Sequence, residues 1–471
     1  MKRKNASLPQ RGLARTLALA LREPRLLVMV ALFLASVGAL FAQLYRLQVV
    51  EAGYWTRRAE EQRARVVRIP APRGLIYARD GEPLVKNVPT FQVAVVPGLL
   101  PEGEEQEAVL ARLEGFVGRA IDRAPIEEAL GYAPYDPIVV AQGVERDVAL
   151  ALAQEGLTMP GVRVEVTSRR QYPYGPLVAQ LVGYLGAIPQ EEAEAYRARG
   201  YDPATDRVGY AGVEATYEEW LRGTPGERLQ EEDVLGRVIR VLGSERPPVP
   251  GHNVYLTIDM ALQQVAQDAL ERGLQRANSR RGVVIAMDPQ TGEILAMVSL
   301  PTYDDNLFAQ GISAEDYQRL LEDPHRPLLN HAIADQLPPG SIFKIVVAAA
   351  ALQEGVLTPR TQLNCPGTIV VPNKYYPNDP GRAQPFHCWK RSGHGWLDVV
   401  EALAHSCDIL FYKVGGGFEE TDFEGLGPER IAEYARLFGL GAPTGIELPS
   451  EASGLVPSAT WKRRTIGENW S

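Results

Sequence analysis

A chain of 471 residues exceeds what one hydrophobic core usually organises, so two or more domains are expected outside any membrane segment. Hydrophobic residues at 45% and charged residues at 23% argue against wholesale disorder. A net charge of −9 argues against a nucleic-acid-binding surface, which needs clustered positive charge to replace the counterions on phosphates.

The first element is a membrane span. Residues 26–44 read LLVMVALFLASVGALFAQL, without a charge, long enough as a helix for a bilayer's hydrocarbon core. Lys2, Arg3, Lys4, Arg11, Arg15, Arg22 and Arg25 precede it against the single acid Glu23. That asymmetry keeps the N-terminus in the cytoplasm. The expected organisation is a cytoplasmic tail over 1–25, a transmembrane helix over 26–48 and an extracytoplasmic remainder anchored in a bacterial inner membrane. A cleaved signal peptide fits less well, because the apolar run exceeds a usual h-region and no small-x-small site follows it.

After a polar connection from Tyr45, the stretch 72–85 alternates and turns at Asp80-Gly81 like two short strands. Residues 97–163 hold short helical patterns, such as 107–117, and no catalytic constellation. Gly209-Tyr210-Ala211-Gly212-Val213-Glu214 leads into a helix ending at Leu221-Arg222-Gly223, with glycines at both ends. Arg246-Pro247-Pro248-Val249-Pro250-Gly251 is a proline-rich break and the expected main boundary, dividing a domain over 49–250 from one over 251–471. Leu262, Val265, Ala266, Ala269 and Leu270 then recur at helical spacing behind Thr257 or Asp259 as the cap. A hairpin follows, 282–287 and 293–298, around Asp288-Pro289-Gln290-Thr291-Gly292.

The sharpest chemical signal comes next. Gln336-Leu337-Pro338-Pro339-Gly340 breaks the chain and Ser341 opens the apolar run 343–352, so Ser341 and Lys344 should share one helix face about a turn apart. A neutral amine at that distance can take the serine's proton and make it a nucleophile. A bare Ser-x-x-Lys is expected by accident about once in a chain of this size. This one is the only such motif here and sits at a Pro-Pro-Gly to helix junction.

The ordered set of motifs resembles the class B penicillin-binding proteins of the elongation, or rod-shape, type (the penicillin-binding protein 2 group). Pro72-Arg73-Gly74 with Asp80-Gly81, and Gly212-Val213-Glu214 with Leu221-Arg222-Gly223, match that family's pedestal motifs. Leu256-Thr257-Ile258-Asp259 with Leu262-Gln263 matches the start of its transpeptidase domain. The resemblance implies an α+β protein: one N-terminal transmembrane helix, an elongated α/β pedestal, and a penicilloyl-serine transpeptidase domain with a sheet flanked by helices. It implies that Ser341 attacks the penultimate D-Ala carbonyl of a peptidoglycan stem peptide, that Lys344 is the general base, and that β-lactams inhibit. Ser406-Cys407-Asp408 stands at the family's Ser-x-Asn motif, where Ser406 would relay a proton and Asp408 departs from the pattern, accepting hydrogen bonds but not donating them when ionised. As a simple alternative, Ser-Cys-Asp caps the next helix. The family's Lys-Thr-Gly or Lys-Ser-Gly strand has no match here. The resemblance implies that it lies beyond Ser471 and that the transpeptidase domain lacks its C-terminal part. The implied partners are a membrane and a glycosyltransferase of the SEDS family, with no nucleic acid and no cofactor for the acyl transfer. A β-lactamase, a non-catalytic β-lactam sensor or scaffold, and a septal class B enzyme are the competing readings.

All three cysteines fall between Cys365 and Cys407. Cys365, Cys388, His394 and Cys407 form a Cys₃His set suited to a closed tetrahedral zinc site. A Cys365–Cys388 disulfide that leaves Cys407 free is the alternative. His387 and His405 compete with His394, but His387 would point away from Cys388 in extended chain and His405 directly precedes Ser406.

Overall fold

The computed structural model describes residues 24–55, 64–232, 238–243, 245–373, 375–417 and 424–468. The basic residues from Lys2 to Arg22, with Glu23, lie outside that range, as does 56–63 of the polar connection. The apolar run forms helix α1 (Pro24–Tyr45), extended by a wider π turn, Arg46–Val50. Leu27, Val28, Phe33, Leu40 and Phe41 all point outward from it. Residues Leu27–Val50 are long and apolar enough to cross a membrane, and none of that length is buried. A packed soluble helix would hide such a surface; lipid accepts it, so α1 fits a single-pass anchor.

The chain divides into two compact units that interleave along the sequence. The first comprises 1–72, 90–167 and 223–250. Its three-stranded antiparallel sheet pairs β1 (Ala64–Ile69) with β8 (Gly226–Glu232) and β8 with β9 (Val238–Val241). A Cβ on Gly226 would sit 2.4 Å from the Arg246 carbonyl oxygen, so only glycine lets those two backbones approach. The same unit holds a second core, where the end of β3 (Pro83–Val95) pairs antiparallel with β4 (Ile138–Val144). Helices α2 (Glu104–Val117), α3 (Ala124–Tyr132) and α4 (Arg146–Gln154) supply the apolar side chains that cover it, Leu110, Leu113, Ile126 and Leu152 packing with Val93, Val95 and Ala141. The expected 107–117 helix is therefore present and starts three residues earlier.

The second unit comprises 73–89, 168–222 and 251–471. The turn at Asp80-Gly81 joins β2 (Ile76–Tyr77) to the start of β3, and β10 (Val254–Tyr255) adds to β2 in parallel. Gly74 and Gly251 cross backbone here: a Cβ on either would lie 1.9 Å from a carbonyl oxygen, of His252 and Leu221 respectively. The expected helix after Gly209 is instead two short ones, α5 (Gly212–Thr216) and α6 (Glu218–Leu221), broken at Tyr217. The break aims two acids at Arg73. Its guanidinium binds Glu214 and Glu218, both at 2.7 Å, and Arg170 binds the other Glu214 oxygen at 2.9 Å. This charge network is buried, which makes its members mutually dependent.

Helix α7 (Met260–Ala277) packs on the hairpin β11 (Gly282–Met287) and β12 (Ile294–Leu300). Asp259 is its cap, accepting from the Leu262 N–H at 3.0 Å; Thr257 instead donates to the Ile294 carbonyl. Buried Gln263 accepts from the Met297 N–H and donates to the Met297 carbonyl, both at 2.8 Å, so a side chain completes the ladder at that strand. The last core surrounds α9 (Lys344–Gln353): Val347, Ala350 and Ala351 pack with Cys365, Cys388, Leu397, Cys407, Leu410 and Val414.

Candidate active site

Gly340 has φ +61°, a left-handed conformation that ends the Pro338-Pro339 approach and starts a single 3₁₀ turn, Gly340–Phe343, ahead of α9. A 3₁₀ turn repeats every three residues, so Ser341 and Lys344 stack in line. Ser341 is exposed, while the Lys344 side chain is only 12% exposed because α9 carries its stem into the core. The Lys344 Nζ lies 3.2 Å from the Ser341 Oγ.

The opposite wall comes from the end of α10 (Val399–Ala404). Its capping box on Asp398 and Glu401 fixes where it begins. At its far end Ser406 takes φ +49°, rare for a residue with a Cβ, and the Cys407 N–H returns to the Ala402 carbonyl at 2.9 Å. That bend presents two oxygens to the amine: the Ser406 carbonyl at 2.9 Å and its Oγ at 3.1 Å from the Lys344 Nζ. Helix α11 (Asp408–Gly416) follows, and its N-cap, Cys407, makes no side-chain capping bond. The simple capping role for Ser-Cys-Asp is therefore not what these side chains do.

Asp408 completes the group. Its Oδ1 accepts from the Lys344 Nζ at 2.6 Å and its Oδ2 from the Trp389 N–H at 3.0 Å. Burial alone would raise this carboxyl, but the bonds from Lys344 and Trp389 outweigh it and hold it below the ordinary carboxylate range. An acceptor-only side chain suits both partners, which accounts for an acid where the resemblance leads one to expect Asn. Trp389 was not singled out from the sequence. Its indole Nε1 donates to the His405 carbonyl at 2.9 Å, so one residue braces both ends of the Ser406 bend. The only sequence signal for it is its place directly after Cys388.

The cysteines gather behind this bend. β13 (Leu363–Cys365) pairs with β16 (Gly395–Leu397), and β14 (Thr368–Val371) with β15 (Gln384–His387), setting Cys365 opposite Gly395 and Thr368 opposite His387. The three Sγ atoms and a His394 ring nitrogen all lie within 4.8 Å of one another, a set able to hold a metal ion. The Nδ1 of His394 is 3.6 Å from the Cys365 Sγ and 3.5 Å from the Cys388 Sγ. All three cysteines are free, with no Cys365–Cys388 disulfide. Burial pushes the Cys407 thiol up to about 12. For Cys388, backbone N–H groups of Lys390, Asp408 and Ile409 outweigh burial and lower it. His387 turns away to Thr368, at 2.9 Å, and His405 stacks on His394 from outside the four donors.

Two family models match the chain: the penicillin-binding protein dimerisation domain over residues 68–256 and the penicillin-binding protein transpeptidase domain over 282–469. The chain is similar to the peptidoglycan D,D-transpeptidases MrdA of Haemophilus influenzae, at 34% identity over 92% of its length, and of Escherichia coli K12, at 36% over 92%. It spans 63% and 65% of the length of these two relatives. Among solved structures it is similar to penicillin-binding protein 2 of Helicobacter pylori in complex with MreC, with a TM-score of 0.70 and 26% identity, covering 87% of this chain and 72% of that one.

Proposed function

The chain belongs to the class B penicillin-binding proteins, with a dimerisation and a transpeptidase domain, and from that membership we propose that it is an elongation-type peptidoglycan D,D-transpeptidase acting through Ser341. The observation that carries the proposal is the Lys344 Nζ, 3.2 Å from the Ser341 Oγ and 3.1 Å from the Ser406 Oγ. An amine between two hydroxyls is a route for one proton in two directions.

In the ammonium form Lys344 donates to its oxygen neighbours, so the reactive form is the free amine, with the Ser341 hydroxyl turned towards it. The Ser341 Oγ then adds to the carbonyl carbon of the penultimate D-Ala and its proton passes to Lys344. As the tetrahedral intermediate collapses, the C–N bond breaks and that proton reaches the departing D-alanine amine through Ser406. An ester on Ser341 remains. The amine of a second stem peptide attacks it, gives up a proton along the same path, and restores the Ser341 hydroxyl as the cross-link forms. Asp408 takes no proton in this scheme; it holds Lys344 beneath Ser341. The pedestal reading of 49–250 and the transpeptidase reading of 251–471 belong to the same proposal.

The four-donor cluster supports a structural zinc. Tetrahedral zinc with bonds of about 2.3 Å to sulfur and 2.0–2.1 Å to nitrogen has sulfur-to-nitrogen edges of about 3.5 Å. The two edges here are 3.5 and 3.6 Å. Cys365, Cys388, Cys407 and the His394 Nδ1 would hold the ion. Bound there, it supplies no reaction chemistry and ties the Ser406 bend to the sheet. Elemental analysis of purified protein should find one zinc per chain and no reactive thiol; absence of metal with accessible thiols refutes the site.

The basic residues ahead of α1 support a cytoplasmic N-terminus and an extracytoplasmic active site in the inner membrane. Stem peptides as substrates, β-lactams as inhibitors and a SEDS-family glycosyltransferase as membrane partner follow from the family reading. The neighbour solved with MreC makes a protein of that kind a second candidate partner. Release of D-alanine from pentapeptide-bearing glycan strands should depend on Ser341; equal release by Ser341→Ala would overturn the assignment.

A further inference from the structure

A second hydrogen-bonded pair lies just ahead of the nucleophile turn. His331 opens the short helix α8 (His331–Ala334) and is 3% exposed, its backbone N–H donating to the Ser299 Oγ at 2.9 Å. Both ring nitrogens are engaged: Nδ1 lies 3.0 Å from the Asp335 Oδ2 and Nε2 lies 2.9 Å from the His325 carbonyl oxygen.

The donor count decides what this means. A carbonyl oxygen and an ionised carboxylate only accept, whereas a neutral imidazole carries a single N–H. Two acceptors facing two nitrogens require a second proton in the group. A ring carrying hydrogen on both nitrogens satisfies both acceptors at once, and the partly exposed Asp335 side chain can face it as a carboxylate. The sheet against α8 adds no charge. Strands β11 and β12, which pack against α8, contain only Gly, Val, Ile, Ala, Met, Leu and Ser. The titratable groups nearby are His325, which contributes its backbone oxygen, Arg326 beside it, and Asp323, which accepts from the His325 N–H at 2.8 Å. The segment whose Ala452 N–H donates to the Ile333 carbonyl adds Glu447 and Glu451, which are engaged by Tyr217 and Thr444.

The position gives the pair a purpose. Gln336, Leu337, Pro338, Pro339 and Gly340 are all exposed, and among the described residues Asp335 is the last side chain before Ser341 to make a hydrogen bond. A linker of this length could otherwise sweep a wide arc, since each residue can span up to about 3.3–3.6 Å. We propose that His331 and Asp335 form a charged clasp, imidazolium against carboxylate, that anchors the entry to the 3₁₀ turn and so sets Ser341 over Lys344. Both are positioning residues, and their purpose rests on the reading of Ser341 as nucleophile.

Two measurements on the full-length chain test the clasp without requiring any acyl transfer, so its failure is separable from failure of the nucleophile assignment. With ¹⁵N-histidine labelling at pH 7, and His331→Gln to identify the signals, both His331 nitrogens should carry hydrogen; one bare nitrogen overturns the proposal. In Asp335→Asn, which keeps the shape, hydrogen exchange at Phe343 and Lys344 within the turn should accelerate about fivefold or more while β11 and β12 stay protected. Unchanged exchange in the turn would remove the positioning role even if the ring is charged.

Discussion

Replacing Asp408 with Ala is the perturbation that separates a placed lysine from a merely nearby one. The change removes the 2.6 Å contact to the Lys344 Nζ and the 3.0 Å contact from the Trp389 N–H. Hydrogen bonds to charged groups contribute about 1.5–3 kcal/mol each. The amine keeps both Ser406 oxygens, and Trp389 is largely exposed, so water replaces the second bond. The expected loss is therefore that of one charge-assisted bond, about 2 kcal/mol, or about 30-fold in the population with Lys344 beneath Ser341. Stopped-flow acylation by a fluorescent penicillin should slow by that factor. Asp408→Asn, which still offers one oxygen, should lose less than about tenfold by the same reasoning. A rate for Asp408→Ala within about threefold of the parent would refute the idea that this carboxylate positions the lysine.

Ser406→Ala removes the hydroxyl but not the carbonyl that holds Lys344, so D-alanine release should fall by about 10²- to 10⁴-fold with little change in urea midpoint; an equal loss of stability would make Ser406 structural. Glu214→Ala leaves Arg170 and Arg73 short of their shared partner in a buried network, and urea unfolding should show about 3–5 kcal/mol of destabilisation; under about 1 kcal/mol would contradict that role. Asp305 is fully buried, and burial followed by the charge of Asp304 pushes its carboxyl from 3.8 up to about 9. Because the folded value is raised, its contribution to stability is complete below about pH 4 and is lost as pH climbs through about 9. Asp305→Asn should therefore flatten the decline in urea midpoint between pH 5 and 8, and parallel curves would count against it.

Local features were the ones legible in the sequence. The hydrophobic run of α1, the 282–300 hairpin, the Ser341 turn and the clustering of the cysteines each follow from adjacent residues and short-range periodicity. What stayed hidden depends on distant partners. Nothing around Tyr217 announces that the helix must break so that Glu214 and Glu218 both reach Arg73, some 140 residues earlier. Trp389 holds Asp408 through its backbone N–H, which every non-proline residue shares, and its indole meets a carbonyl that only the fold brings near, so neither role was visible locally. His331 stands in no motif of the sequence, and its role depends on the His325 carbonyl and Asp335 converging on its ring. The interleaving of the two units has the same origin. The chain passes between them after Pro72, Pro89, Thr167, Arg222 and Pro250, and only the last crossing falls in a proline-rich break that composition marks.

The central claim is that Ser341 is the acylated nucleophile. Incubating the purified protein with a penicillin, digesting it and mapping the adduct by mass spectrometry tests this most directly. The account predicts a penicilloyl ester on the peptide containing Ser341, lost in Ser341→Ala and formed much more slowly in Lys344→Ala. An adduct on another residue, or labelling that survives Ser341→Ala, would contradict it.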